Sequence, residues 1–358
     1  MKVLTVIGNR PQFIKAAAVS PRLRELHEEV LIHTGQHFDD ELSAVFFSEL
    51  GLAAPEHELG ISLGSNSSQT ARMLAALEPV LAEVRPDIVL VYGDTNSTLA
   101  GALAGAQARL PVAHVEAGMR SFDRTMPEEL NRVLADHASS LLLCSSEVAA
   151  QNLRREAAAG RVELVGDVMV DVALSVQPRA RDRLDLLEAR GVQPAQYVLA
   201  TAHRAGNVDD RDRLELLVEL LLAIALPIVL PLHPRTDARL REAGLRGRLE
   251  RSERVILTEP LGYVELAALL CNARTVLTDS GGLQKEAFWA RVPCVTVRGT
   301  TEWMETVAQG ANELASPTDV AAAVAHALTK SLPTEHENPY GDGRASENIA
   351  SILRAGHG

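Results

Sequence analysis

Residues 88–118 read IVLVYGDTNSTLAGALAGAQARLPVAHVEAG. The run 88–91 is wholly apolar, and 112–115 is apolar apart from His114. Between them, 97–108 has the composition of a helix rich in Ala and Leu. Strands that do not alternate in polarity are covered on both faces, which is the mark of a parallel sheet. A strand, a crossover helix and a second strand in so short a span predict a βαβ unit. The polar residues that follow each strand, Gly93-Asp94-Thr95-Asn96 and Glu116-Ala117-Gly118, then fall at the carboxyl ends of the strands, where such folds bind ligands.

The same alternation extends in both directions. Short apolar runs at 3–7, 30–33, 141–144 and 162–165 read as further strands of the first half. Those at 197–200, 228–230, 255–257, 275–277 and 294–297 form a second set, with helical stretches at 69–84, 128–137, 211–223 and 265–271. The pattern pauses only between Asp171 and Ala195, where Pro178, a charged run at 179–183 and Gly191 mark a junction carrying a helix. The expected class is therefore α/β, with two doubly wound parallel-sheet domains at 1–172 and 173–344 and a closing helix at 345–358. Two such domains facing one another would place a ligand in the cleft at their strand ends.

Composition narrows the function. The chain has 358 residues and a formal charge of 35 − 47 = −12, which disfavours general binding to nucleic acid or anionic membranes. Aromatic residues are only 3%, too few for a base-stacking platform. Cys144, Cys271 and Cys294 are too far apart for a metal or redox pair and read as buried thiols. No metal-binding spacing occurs, and neither a Walker loop nor a GxGxxG fingerprint follows a strand. The apolar run 214–232 is broken by Glu215, Glu219, Pro227 and Pro231, so it predicts no membrane span, and a cytoplasmic location is expected.

Six post-strand segments carry candidate chemistry. In Gly8-Asn9-Arg10-Pro11, Arg10 and Lys15 can present cations near a helix start, though they serve equally as loop cap and solvated residue. Asp94 can cap the next helix or act as an acid–base group. Glu116 beside another carboxylate would tend to hold its proton, and an ion pair with Arg120 is the competing reading. Glu128 and Arg132 share a helix face in a segment that is also a good helix start. His203 follows the strand that opens the second domain and can titrate near neutrality or donate to phosphate. Finally, Ser280-Gly281-Gly282 runs from a strand into a helix, a phosphate cradle or an ordinary turn, with Glu286 on the same helix face.

Taken in order, GNRPQFIK (8–15), HTGQHFD (33–39), VYGDTNSTLAGALA (91–104), HVEAGMRSFDRTMPEELNRVL (114–134), VGDVMVD (165–171), ATAHRAGN (200–207), PLHPRT (231–236), LTDSGGLQKEA (277–287), PCVTVRGTTEW (293–303) and NPYGDG (338–343) closely resemble the non-hydrolysing UDP-N-acetylglucosamine 2-epimerase family. The resemblance implies a GT-B arrangement of two Rossmann-like domains, a homodimer, and a place in polysaccharide biosynthesis. It implies inversion at C2 of a UDP-sugar without NAD or metal, by elimination of UDP to a 2-acetamidoglucal and re-addition. By motif, Asp94, Glu116 and Glu128 would be the acid–base carboxylates, and His203 would assist them or bind the diphosphate. Arg10, Lys15 and Arg132 would contact phosphate or sugar oxygens, Ser280, Gly281 and Gly282 the diphosphate, and Glu286 the ribose.

The chain also departs from that pattern. Thr301-Glu302-Trp303-Met304-Glu305 stands where many members have Thr-Glu-Arg-Pro-Glu, so a nucleotide-binding arginine is missing. Gly206 replaces a common glutamate, and Gln36-His37-Phe38-Asp39 lacks the arginine-containing form linked to an activating second site. The Pro-Gln-Phe-Ile-Lys and Thr-Glu-Trp variants resemble a subgroup acting on UDP-2,3-diacetamido-2,3-dideoxyglucuronic acid, which makes that sugar the alternative substrate. A hydrolysing epimerase, a GT-B glycosyltransferase and an inactive UDP-sugar-binding module are the more distant readings.

Overall fold

The structure is a computed structural model that describes residues 1–36, 51–316, 318–333 and 338–355. The chain divides into two compact units, Met1–Val172 with Asn338–Gly358, and Ala173–Glu337. Both are of the expected α/β class.

In the first unit the strands are β1 (Lys2–Ile7), β2 (Glu28–His33), β3 (His57–Glu58), β4 (Ile88–Tyr92), β5 (Val112–Ala117), β6 (Leu141–Cys144) and β7 (Arg161–Leu164). Among the described residues they form one parallel sheet in the order β3-β2-β1-β4-β5-β6-β7. Strand order reverses at β1, so the loops leaving β1 and β4 diverge there and leave room for a ligand. The helices are α1 (Arg10–Leu26), α2 (Asn66–Val84), α3 (Asn96–Gln107), α4 (Pro127–Ala138) and α5 (Glu147–Arg155), and α16 (Ala345–Ala355) joins them from the end of the chain.

Helix α3 lies close on the sheet because of its glycines. A Cβ on Gly101 would come within 2.8 Å of Val91 Cγ1, and one on Gly105 within 2.8 Å of Val112 Cγ2. The close approach fixes where α3 begins, just beyond Asp94. Helix α16 is held by Asp171, whose carboxylate accepts from Ala345 N at 3.1 Å and Ser346 N at 2.8 Å. Asp167 N donates to Tyr340 O at 2.7 Å, so the segment from Asn338 also packs with the first unit.

The second unit contains β8 (Val198–Thr201), β9 (Ile228–Pro231), β10 (Val255–Thr258), β11 (Thr275–Thr278), β12 (Cys294–Thr296) and β13 (Asn312–Leu314). These form a parallel sheet in the order β10-β9-β8-β11-β12-β13, which reverses at β8. Its helices are α6 (Val168–Arg181, which begins in the first unit), α7 (Asp185–Glu188), α8 (Ala205–Val208), α9 (Arg211–Ala223), α10 (Pro234–Glu242), α11 (Arg246–Glu250), α12 (Tyr263–Cys271), α13 (Gly281–Ala290), α14 (Met304–Ala308) and α15 (Val320–Thr329). The core of this unit packs β8, β9 and β12 residues such as Val198, Ile228 and Val295 against Leu214, Leu221 and Val324 of the covering helices.

The three cysteines are buried and free. Burial pushes the Cys271 thiol up to about 11, which suits a packing role rather than a nucleophile. No helix among the described residues is long and apolar enough to cross a membrane.

Candidate functional site

The candidate residues fall into two groups, one in each unit. In the first unit they collect at the carboxyl ends of β1, β4 and β5, on both sides of the reversal in strand order.

Lys15 stands on the second turn of α1, a helix capped by Asn9, whose side chain accepts from Gln12 N at 3.3 Å. Gln12 stitches the strand ends together: its amide donates to Tyr92 O at 2.8 Å and Thr98 Oγ1 at 2.9 Å, and its Oε1 accepts from Gly8 N at 2.7 Å. With α1 fixed in this way, Lys15 Nζ pairs with Glu116 Oε2, and the two side chains are only 11% and 13% exposed. A pair so nearly dry costs roughly 3–5 kcal/mol to break by removing one partner. Of the readings left open for Glu116, the cation seated on it is Lys15, while Arg120 goes to Asp136 and Glu156. Arg10 is partly exposed at the first position of α1.

Glu116 has φ 71°, in the left-handed region. The β5–β6 register shifts between Val115 and Ala117, so Glu116 is the extra residue of a bulge. A side chain held there costs of order 1–3 kcal/mol, and such strain gathers where a residue must be re-aimed for a task.

Asp94 does not cap α3. Thr95 does so through a capping box with Thr98, leaving the Asp94 carboxylate to pair with Arg132. Arg132 is buried on α4 and also reaches Glu129 Oε2 at 3.0 Å. Glu129 in turn accepts from Ser121 N at 2.9 Å, Ser121 Oγ at 2.9 Å and Phe122 N at 3.0 Å, and so ties down the 119–126 loop. Glu128, the acid named by its motif, is exposed at the start of α4, whereas its neighbour Glu129 is the buried one. Glu129 escaped the sequence reading because two adjacent acids at a helix start look alike until the helix face is known.

Gln36, from the HTGQ half of the second motif, accepts from Ser97 N at 3.0 Å and Ser97 Oγ at 2.7 Å and so supports the start of α3. The rest of that motif, residues 37–39, lies outside the described residues.

In the second unit the group sits at the ends of β8 and β11, again at the reversal. Asp279 is its organiser and was quoted in a motif without being singled out. Fully buried, it accepts from His203 N at 3.0 Å, Arg204 N at 2.9 Å and Asn207 Nδ2 at 3.1 Å, and so fixes the loop that carries His203. His203 Nδ1 stands 3.4 Å from Asp279 Oδ1, and its ring stacks on His233 with centroids 5.3 Å apart. Burial lowers the His203 pKa, more than Asp279 restores it, and Arg204 and Arg235 lower it further. His203 is therefore held neutral at pH 7 and can donate one proton or accept one.

Ser280 precedes α13 without capping it through its side chain. A Cβ on Gly282 would meet nothing within 4 Å, so the first turn of α13 is open to a ligand. A Cβ on Gly281 would lie 3.7 Å from Trp303 Nε1 and 4.0 Å from both Arg204 Nη2 and Glu302 Oε2. The backbone start of α13, the Arg204 guanidinium and the Trp303 indole N–H thus converge, beside the Glu302 carboxylate, at a helix N-terminus of the kind that favours anions. Glu302 is committed to Arg298, with bonds of 2.9 and 3.0 Å. Against burial, which would raise it, that guanidinium holds the Glu302 carboxyl below its usual range. Trp303, where the family pattern has arginine, covers Lys285, whose Nζ is 3.7 Å from the ring centroid. Glu286 lies partly exposed on α13.

A recess of about 590 Å3 lined by Lys2, Arg24, His27, Glu28 and Asp87 opens at the amino ends of β1 and β2, the opposite edge from the carboxylates. Among the described residues no group of three or more His, Cys, Asp or Glu is gathered to hold a metal.

Residues 22–354 match a family model described as UDP-N-acetylglucosamine 2-epimerase. A UDP-2,3-diacetamido-2,3-dideoxy-D-glucuronate 2-epimerase of Pseudomonas aeruginosa is 45% identical over 363 residues, covering 99% of each chain. A UDP-N-acetylglucosamine 2-epimerase of Methanocaldococcus jannaschii is 40% identical over 367 residues, covering 99% of this chain and 100% of the relative. The crystal structure of the M. jannaschii enzyme with UDP-GlcNAc and UDP superimposes with a TM-score of 0.91 at 40% identity, covering 99% of this chain and 100% of that one.

Proposed function

The chain belongs to the UDP-N-acetylglucosamine 2-epimerase family, and on that premise we propose that it interconverts UDP-GlcNAc and UDP-N-acetylmannosamine. The observation that carries this reading is the pairing of Glu116 with Lys15 and of Asp94 with Arg132 at neighbouring strand ends of one unit. Epimerisation needs a base to take the C2 proton and an acid to return one to the opposite face, while UDP leaves C1 and then adds back. Two carboxylates, each paired with a cation in the free protein, are suited to that exchange. When the sugar arrives, Lys15 and Arg132 can turn toward its oxygens and release a carboxylate for proton transfer. The second unit is assigned the diphosphate, through the start of α13, Arg204 and neutral His203, all of which stabilise charge growing on a departing phosphate. In this reading Glu128 is the third acid–base carboxylate, Arg10 contacts phosphate or sugar oxygens, Ser280, Gly281 and Gly282 receive the diphosphate, and Glu286 holds the ribose.

The same inversion on UDP-2,3-diacetamido-2,3-dideoxyglucuronate is the second reading. It is favoured by the Pseudomonas relative and by Trp303 standing in place of arginine. A homodimer, a cytoplasmic location and a role in polysaccharide biosynthesis complete the proposal, and sedimentation equilibrium tests the first of these.

The deciding experiment is proton NMR of each UDP-sugar with the pure protein in D2O, without added NAD or metal. UDP-N-acetylmannosamine deuterated at C2 supports the main reading. Turnover of the uronic acid alone supports the second, free sugar indicates hydrolysis, and an inert wild-type protein refutes epimerisation.

A further inference from the structure

Glu116 is held in a conformation that an ordinary β-strand would not give it, and the restraint comes from one carboxylate on a neighbouring helix. Asp136, on α4, is fully buried. Its Oδ1 bonds His114 Nδ1 at 2.7 Å, and its Oδ2 accepts from Gly118 N at 3.1 Å. His114 and Gly118 stand two residues before and two after Glu116. The bulge is therefore pinned at both ends by the two oxygens of a single side chain, and Glu116 between them cannot slip back into register without breaking one bond or the other.

The clamp reaches further. His114 Nε2 bonds Gly93 O at 2.6 Å, which fixes the end of β4 immediately before Asp94. A Cβ on Gly93 would stand 3.4 Å from Lys15 Nζ and 3.6 Å from Glu116 Oε2, so the residue whose carbonyl His114 holds is one that the ion pair packs against. On its other side Asp136 accepts from Arg120 Nη1 at 2.8 Å, and Arg120 grips Glu156 with bonds of 2.8 and 2.6 Å. Despite burial, which would raise it, His114 and Arg120 keep the Asp136 carboxyl below its usual range, so it stays an acceptor for both of its oxygens.

We propose that Asp136 is a positioning residue that, acting through His114 and Gly118, fixes the strained Glu116 and its separation from Asp94. This rests on the acid–base role proposed for Glu116. Asp136 does not itself meet the substrate; it removes the freedom of Glu116 to adopt an unstrained, misdirected conformation.

The test uses the full chain and the UDP-sugar that the wild-type protein turns over. Asp136→Leu should lower kcat about 100-fold, with KM changed by less than about threefold and UDP affinity intact. Asp136→Asn can still accept from Gly118 N and donate to His114, and it should recover activity to within about tenfold of wild type. If Asp136→Leu does not fold, His114→Phe serves instead. It cuts the link to Gly93 while leaving that of Asp136 to Gly118, and should cost about tenfold in kcat at unchanged KM. Wild-type kcat in a folded Asp136→Leu or His114→Phe protein overturns the inference, as does a loss confined to KM. A separate failure is recognised in parallel tubes. Full activity in Glu116→Gln, or a wild-type protein inert on both sugars, overturns the functional reading and this inference with it.

Discussion

The two candidate groups occupy equivalent places, each at the point where its parallel sheet reverses strand order, yet they are built from different material. In the first unit the work falls to side chains: Lys15 with Glu116, Arg132 with Asp94, and beneath them Asp136 with His114 and Arg120. In the second unit the place proposed for the diphosphate has the open backbone start of α13 and its two glycines, with Arg204, the Arg298–Glu302 pair and a histidine held neutral around them. The contrast follows from the two tasks. Moving protons requires groups whose charge can change, and these must be buried, paired and aimed. Holding a diphosphate requires fixed dipoles and empty space. On the proposed reading, one fold thus carries a reactive group of buried ion pairs in one unit and an open helix start in the other.

The sharpest way to break this contrast is Glu116→Gln. Loss of an acid–base carboxylate should lower kcat about 1,000-fold while UDP affinity, read by calorimetry, stays within about twofold. Equal losses in both would mean that the units do not divide the labour. Lys15→Met comes next. It takes the Lys15 cation from Glu116 where water is scarce and should destabilise the protein by roughly 3 kcal/mol in a urea titration, unless the carboxyl takes up a proton. A smaller effect is expected from Gly282→Val, because the space it fills is empty in the free protein. UDP affinity should fall about tenfold with Tm unchanged; a matching fall in Tm would show that the turn itself needs glycine.

The smallest effect concerns His203. Its pKa lies below the unfolded value of about 6.5. The unfolded chain therefore binds this proton more readily as pH falls from about 6.5 through the native value, so stability is lost in that window and fully kept above it. The side chain is 38% exposed, which keeps the term small. A Tm-against-pH profile for His203→Gln should be slightly flatter than wild type between about pH 7 and 5, and an identical profile would remove His203 from the account.

How much of this was legible beforehand depended on range. The apolar runs of β1, β4, β5 and β11 betrayed the parallel sheets, and Ser-Gly-Gly after β11 betrayed the open helix start, because both are local properties of a few adjacent residues. Strands β3, His57-Glu58, and β13, Asn312-Glu313-Leu314, are short and mostly polar and so leave no apolar run. The bulge at Glu116 was invisible for another reason: its cause is Asp136, twenty residues away on α4 and adjacent only in space. Glu128 and Glu129 show the same limit, since the pattern names an acid at the helix start but not which one turns inward. Asp279 was in plain view inside a quoted motif, and only the three N–H donors converging on its carboxylate disclose its task.

The left-handed backbone of Glu116 has a consequence for how the sequence can drift. Glycine or asparagine would adopt φ 71° at less cost than glutamate, so the backbone by itself favours abandoning the residue proposed to do the chemistry. Either change would also take the carboxylate from Lys15, at roughly 3–5 kcal/mol against the strain of order 1–3 kcal/mol that it relieves, so residue 116 should drift only together with residue 15. The bulge pinned by Asp136 and the ion pair with Lys15 thus bind the fates of positions 15, 116 and 136 to one another.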